Sequence, residues 1–278
     1  MKRFYLLAVA ALSLCSTCIP LHAQDGFVAR WQARATATQN GQPHWVTPLV
    51  TVTPRLEQEF RSDFVRQIAP AGTDTWNYGN NKGLELIPVS RVELIFNVPA
   101  YIQHNTKAKD GFADTTFLLK YRILGRNEKS GDAIVTAFIG GSYPTGSYKN
   151  GSVAATVTPT LAAGKGFSRL DIVSTLGAAL PVTNATAVGR PITWNTTLQQ
   201  NLAKYFWPEV EFNNTFYHGG PSDGHTQSFV TPGLMLGRFH VSKEHRRLGI
   251  TFGLGEQIAL THFHNYNHAL VFSGRVFF

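Results

Sequence analysis

Apolar and polar residues alternate one by one through most of the chain after Arg55, and Gly, Asn, Ser and Pro interrupt the alternation at intervals. A period of two puts successive side chains on opposite faces of an extended strand. The pattern predicts about twelve strands, at 55–67, 82–88, 91–103, 114–125, 132–143, 155–163, 169–181, 191–203, 207–217, 228–241, 248–261 and 267–278. In the last of these, Leu270, Phe272, Val276 and Phe278 share one face, and Ala269, Ser273 and Arg275 share the other, with Val271 and Phe277 blurring the second. In 91–98, Val92, Leu94, Phe96 and Val98 oppose Arg91, Glu93, Ile95 and Asn97; in 191–202, Ile192, Trp194, Leu198 and Leu202 oppose Thr193, Asn195, Thr197, Gln199 and Asn201. Long connections (68–81, 104–113, 144–154, 182–190, 218–227) alternate with short ones (89–90, 126–131, 164–168, 204–206, 242–247), and 262–266 is a short exception. Aromatic residues such as Tyr101, Tyr121, Tyr205, Phe206, Trp207, Phe216 and Tyr217 gather at strand ends. A soluble amphipathic sheet shares the period but has no reason to sort its loops by length. The expected fold is all-β: a transmembrane, antiparallel up-and-down β-barrel of about twelve strands, apolar toward lipid and polar toward its lumen.

A charge at the middle of the hydrocarbon costs about 2–4 kcal/mol, so the charged face of each strand is expected to look inward. Arg55, Glu57, Glu59, Arg61 and Asp63 would share one face of the first strand; Arg91, Glu93, Asp114, Lys120, Arg122, Arg169, Asp171, Glu209 and Glu211 are the inward candidates on others. Both signs occur in comparable number. They can pair across the lumen into a rigid polar wall, since an unpaired buried charge is costly. Alternatively, some form a constriction that selects permeants by charge and size.

At the start of the chain, Lys2 and Arg3 precede an apolar run from Phe4 to Leu14, and Leu21-His22-Ala23 offers a small-residue cleavage site. This predicts a signal peptide cleaved after Ala23 and export to the bacterial outer membrane. Both cysteines, Cys15 and Cys18, fall inside it, so the remaining chain has no thiol for a disulfide or metal site; bulky Leu14 argues against a lipoprotein site at Cys15. No later run reaches the roughly 18 apolar residues of a spanning helix. The expected organisation is a signal at 1–23, an irregular periplasmic segment at 24–54 rich in Gln, Thr and Pro, and a barrel at 55–278. The formal charge of +8, lowered by two when Lys2 and Arg3 leave, is scattered along the strands and not gathered into a patch, which excludes nucleic acid as a partner. The partners expected instead are outer-membrane lipids, the barrel-assembly machinery reading the terminal strand at Phe278, and small-molecule permeants.

Asp110-Gly111-Phe112-Ala113-Asp114, Lys120-Tyr121-Arg122 and Pro144-Thr145-Gly146-Ser147 follow one another behind Leu84-Glu85-Leu86-Ile87-Pro88-Val89 and Phe96-Asn97-Val98-Pro99-Ala100-Tyr101. This order resembles the outer-membrane family named for the MetA pathway of phenol degradation. The resemblance runs over 55–278 and is sharpest over 80–147, with Ala113 where a second glycine is common. It implies a barrel that passes small, often aromatic or hydrophobic, compounds. Read on their own, Pro144-Thr145-Gly146 form a turn, and Gly249, Gly253 and Gly255 thin the lumen wall. His218, His225, His262, His264 and His268 are expected to be solvated loop residues and not a metal site. Nucleophilic catalysis would need a base beside an activated hydroxyl, yet no Gly-x-Ser-x-Gly is present and Ser228 and His240 stand twelve apart on one strand, about 40 Å. The sequence therefore points to a channel or facilitator for passive passage of small solutes, with no enzymatic role, cofactor or metal. The alternative is a structural or surface-interaction barrel with a plugged lumen.

Overall fold

The computed structural model describes residues 26–241 and 247–278; the signal peptide predicted at 1–23 and most of the predicted turn at 242–247 lie outside the described residues. The chain opens with helix α1 (Phe27–Asn40) and, after an extended stretch, enters β1 (Glu59–Ile68). Several wall strands are built from two collinear segments: β2 (Asp74–Gly79) with β3 (Gly83–Val89), β4 (Val92–Asn97) with β5 (Tyr101–His104), and β6 (Gly111–Phe112) with β7 (Thr115–Arg126). Next come β8 (Ala133–Tyr143), β9 (Thr156–Phe167), and β10 (Leu170–Ala178) with β11 (Leu180–Pro181). After a short helix, α2 (Ala185–Val188), the wall is completed by β12 (Ile192–Gln200), β13 (Phe206–Phe216), β14 (Thr226–His240), β15 (Gly249–Ala259) and β16 (His268–Phe277). Counted as continuous strands these make a closed twelve-stranded antiparallel barrel. β16 closes on β1 in a register running from Glu59↔Phe277 to Ile68↔His268. Closure leaves neither strand with an unpaired edge.

The faces follow the period-2 reading. On β16, Leu270, Phe272 and Val276 are more than 40% exposed, whereas Ala269, Val271, Ser273 and Arg275 are at most 2% exposed. Phe272 meets Phe64 across the closing seam at 6.3 Å and Phe252 on the other side at 6.4 Å, an apolar band on the outer surface.

Each of the twelve predicted spans coincides with a wall strand, with three corrections. β1 begins at Glu59, so Arg55 and Glu57 precede it instead of sharing its face. β2 occupies the end of the connection expected at 68–81; Gly72, Gly79, Asn80 and Asn81 punctuate Asp74–Gly79 and hid the alternation of Trp76 and Tyr78 with Thr75 and Asn77. The stretch at 24–54, expected to be irregular, contains the 14-residue helix α1 and then runs into the barrel interior. Only Ala35 and Thr38 of α1 are buried, too sparse an apolar face to announce a helix by periodicity.

The interior is not uniformly polar either. Trp45, Val46 and Leu49 of the extended stretch cluster with Val65, Ile134, Val173, Trp207, Met235 and Val271 from six wall strands. A second small cluster, Ala35, Leu56 and Ile87 with Trp31 against it, docks α1 across the end of the barrel where the short turns lie.

Candidate functional site

Residues 42–58 enter the lumen as a loop. At its base the Gln42 amide donates to Leu56 O (2.8 Å) and accepts from Leu56 N–H (3.0 Å), so the side chain closes the two limbs. Arg55 donates to Trp45 O between the limbs and pairs with Glu57 at 3.0 Å. The inserted backbone has no strand partner of its own, and buried N–H and C=O groups must be satisfied. Wall side chains do this by charge. Glu209 accepts from Leu49 N–H (2.9 Å), and Glu211 accepts from Val50 N–H (2.7 Å) and Thr51 N–H (2.6 Å). Arg275 donates to Thr47 O at 3.0 Å and also to Pro48 O, Arg61 donates to Leu49 O, and Lys120 to Arg55 O at 3.3 Å. Anions on the wall thus meet amides of the loop and cations meet its carbonyls, the stronger, charge-assisted kind of hydrogen bond.

The wall also recedes where the loop is bulky. A Cβ at Gly164 would lie 2.6 Å from the Trp45 ring, and Cβ atoms at Gly253 and Gly255 would lie 2.8 and 2.6 Å from the Leu49 methyls. The thinning expected from the glycines of β15 therefore makes room for Leu49.

Of the fourteen candidate residues, Arg55, Glu57, Glu59, Arg61, Asp63, Glu93, Asp114, Lys120, Asp171, Glu209 and Glu211 are buried. Arg61 pairs with Asp63 at 2.7 Å and Lys120 with Glu93 at 2.9 Å, while Arg275 stands 4.0 Å from Glu59. Asp114 serves a loop: its two oxygens accept from Gly146 N–H (2.9 Å) and Ser152 N–H (2.7 Å), fixing the connection between β8 and β9. Arg122 is half-buried and clamps the end of α1, donating to Thr38 O (2.6 Å) and Ser90 O (3.1 Å). Arg91 and Arg169 are exposed and belong to turns, corrections to the inward assignment; each lies one residue outside its strand. Missing from the candidates were Arg275, Arg238, Lys82 and Glu85. Arg275 could have been found, because it shares the polar face of β16 with Ser273.

Three cavities border the inserted loop: one against β4, β7–β10 and β12 beyond its tip, one against β1, β3, β4 and β7, and one against α1, β1 and β14–β16 at its base. The largest of the three, about 300 Å³, lies beyond the loop tip at Val52 and is lined by hydroxyl and amide side chains such as Asn97, Thr116, Ser142, Thr158 and Thr175 together with the apolar Phe117, Leu118 and Phe138, with no charged residue. It adjoins a narrow one of about 70 Å³ through Val52, Asn97 and Leu118, where Arg61, Lys82, Glu85 and Lys120 face the space. Thr47, which lines it, also borders a third, of about 180 Å³, bounded by α1, Arg275 and Phe278.

The histidines have local partners. His268 pairs with Glu256 at 2.8 Å, His264 bridges Thr261 O and Asn267, and His225 stacks on Phe263 at 4.3 Å. Among the described residues no group of three or more His, Cys, Asp or Glu is placed to hold a metal.

A closed twelve-stranded antiparallel barrel with an apolar outer band and a filled, charged interior is the fold of outer-membrane β-barrels. The family described as "Putative MetA-pathway of phenol degradation" matches residues 47–236, and the chain belongs to that family. The crystal structure of an outer membrane channel from Pseudomonas putida F1 is similar, with 12% sequence identity and a TM-score of 0.55 over 84% of this chain and 100% of that one. The NanC porin is similar at 8% identity and a TM-score of 0.52, over 80% of this chain and 98% of that one. No curated protein matches the chain.

Proposed function

We propose that the protein is an outer-membrane channel for small, hydrogen-bonding solutes, and that residues 42–58 stay in its lumen as the element that sets the bore. The three cavities bordering the inserted loop, of about 300, 70 and 180 Å³, carry this reading. The uncharged lining of the 300 Å³ cavity, hydroxyl and amide side chains beside Val52, Leu118 and Phe138, suits solutes that carry hydroxyls, hydroxylated aromatic compounds included, and the family's description agrees with that class. Likeness to an outer membrane channel and to a porin supports passage across an outer membrane. In this reading the signal peptide is cleaved after Ala23, α1 and the short turns face the periplasm, outer-membrane lipids surround the apolar band, and the assembly machinery reads the strand ending at Phe278.

The dense bonding of residues 45–57 favours a second reading, a plugged structural barrel without flux. Swelling of liposomes containing the full chain separates the two. The channel reading expects swelling rates that fall steeply as neutral solutes grow from catechol to disaccharides. Rates equal to empty liposomes for every solute would leave the plugged barrel.

A further inference from the structure

Charge selection has no place in the 300 Å³ cavity beyond the loop tip, whose lining is uncharged. It has one at the opposite end from α1, where the connection 105–110, between β5 and β6, meets the connection 144–155, between β8 and β9. The two border an open depression of about 700 Å³, lined by His104, Lys107, Lys109, Tyr148, Lys149 and Asn150, with Ala108. Every ionisable group on that lining other than the tyrosine is basic. Among the described residues no carboxylate comes within 4.0 Å of the three lysines. The nearest acidic residue in sequence, Asp110, accepts from His104 N–H at 2.8 Å. Lys109 Nζ rests instead over the Tyr148 ring, 5.0 Å from its centroid. An exposed cation–ring contact of this kind is worth only about 0.5–1 kcal/mol, so an anion readily displaces or joins it.

The lysines stand on a fixed frame. Asn150 donates to Lys109 O (3.0 Å) and Ser147 O (3.1 Å), and its oxygen lies 2.8 Å from His104 Nε2, so one amide ties the two loops together. Phe112 N–H donates to Ser147 Oγ (2.7 Å), a second tie. Gly111 carries no side chain where Ser147, Asn150 and Tyr148 close in; a Cβ there would lie 2.9 Å from the Asn150 amide. Gly111 is on the enclosed side of its strand and Phe112 on the exposed side.

We propose that this cradle is a capture site for small aromatic carboxylates, the lysines taking the carboxylate and the exposed face of Tyr148 taking the ring. Unpaired cations at a mouth raise the local concentration of anions and their rate of arrival. As a step toward permeation the inference rests on the channel reading above; as a binding site it does not.

Calorimetry on the full chain in a zwitterionic detergent tests it, with benzoate, benzyl alcohol and inorganic phosphate as probes. Benzoate is expected to bind saturably, benzyl alcohol and phosphate at least about tenfold more weakly, and the triple variant Lys107→Gln/Lys109→Gln/Lys149→Gln to lose about tenfold or more in benzoate affinity. With the wild-type protein alone, raising salt from about 0.05 to 0.5 M should weaken benzoate and leave benzyl alcohol unchanged, since screening acts on exposed charges. Absence of benzoate binding, equal binding of benzyl alcohol or phosphate, or salt-independent binding overturns the proposal. Benzoate binding without liposome flux would sink the channel reading and leave the cradle, whereas flux without benzoate binding does the reverse.

Discussion

Glu211 is fully buried, and its carboxylate holds two successive N–H groups of the inserted loop while also accepting from Thr197 Oγ1 at 3.2 Å. A glutamine there keeps the volume but turns an NH₂ toward one of the two amides. Glu211→Gln is expected to lower stability by about 1.5–3 kcal/mol, the range for a hydrogen bond to a charged group. Chemical unfolding in detergent micelles checks this, and an unchanged midpoint would mean that the loop does not depend on the wall carboxylates. Leu49 is held by shape, seated against Gly253 and Gly255. Leu49→Ala should cost about 2–5 kcal/mol, as for other buried leucines. Gly255→Val should act on the loop itself, because its side chain claims the space of the Leu49 methyls and of Pro232 O. Faster proteolysis within 42–58, with the barrel still heat-modifiable, is the expected result.

At the scale of elements, the strands were legible because each has its partners nearby and alternation alone fixes which side chains face lipid. Phe272→Arg puts a charge into the middle of the apolar band between Phe64 and Phe252. It should cost about 2–4 kcal/mol near the midplane, read as a lost folded fraction after refolding into vesicles. The inserted loop was not legible. Trp45, Val46 and Leu49 show no period, since their partners are the inward faces of six strands far away in sequence and exist only once the barrel has closed. The charges of β1, β4, β7 and β13 could be read as inward, but their roles could not; what they satisfy is backbone supplied by another segment. The one local hint was the run of glycines on β15, which marked a thin wall without saying what filled the gap. Helix α1 escaped for a different reason, having only two buried positions. Arg122, a cation at the carbonyl end of α1, ties that end down through Thr38 O, while Arg247 holds the helix along its length through Gln32 O, Thr36 and Gln39; cations are favoured at the carbonyl end by the helix dipole. Arg122→Ala should speed cleavage near Gly41 and leave the barrel folded.

For the whole molecule, the loop and the wall together divide the lumen into a packed side, at the Gln199 end of β12 and the Glu209 end of β13, and an open side that runs from Asn97 on β4 round to Thr193 and Asn195 at the other end of β12. Glu209, Glu211 and Gln199 belong to the packed side, where the Gln199 amide donates to Glu209 at 2.6 Å. Asn97 belongs to the open side, where the cavities of about 300 and 70 Å³ meet. The described chain contains no cysteine, so single cysteines can be introduced cleanly. The most direct measurement of the central claim is single-channel current in planar bilayers for Asn97→Cys and Gln199→Cys, before and after a small charged thiol reagent. If solutes pass beside the inserted loop, modification of Asn97→Cys cuts the current sharply, and Gln199→Cys, shielded by packing, keeps its current. Loss of current at both sites or at neither, or no current in the unmodified protein, would contradict the account.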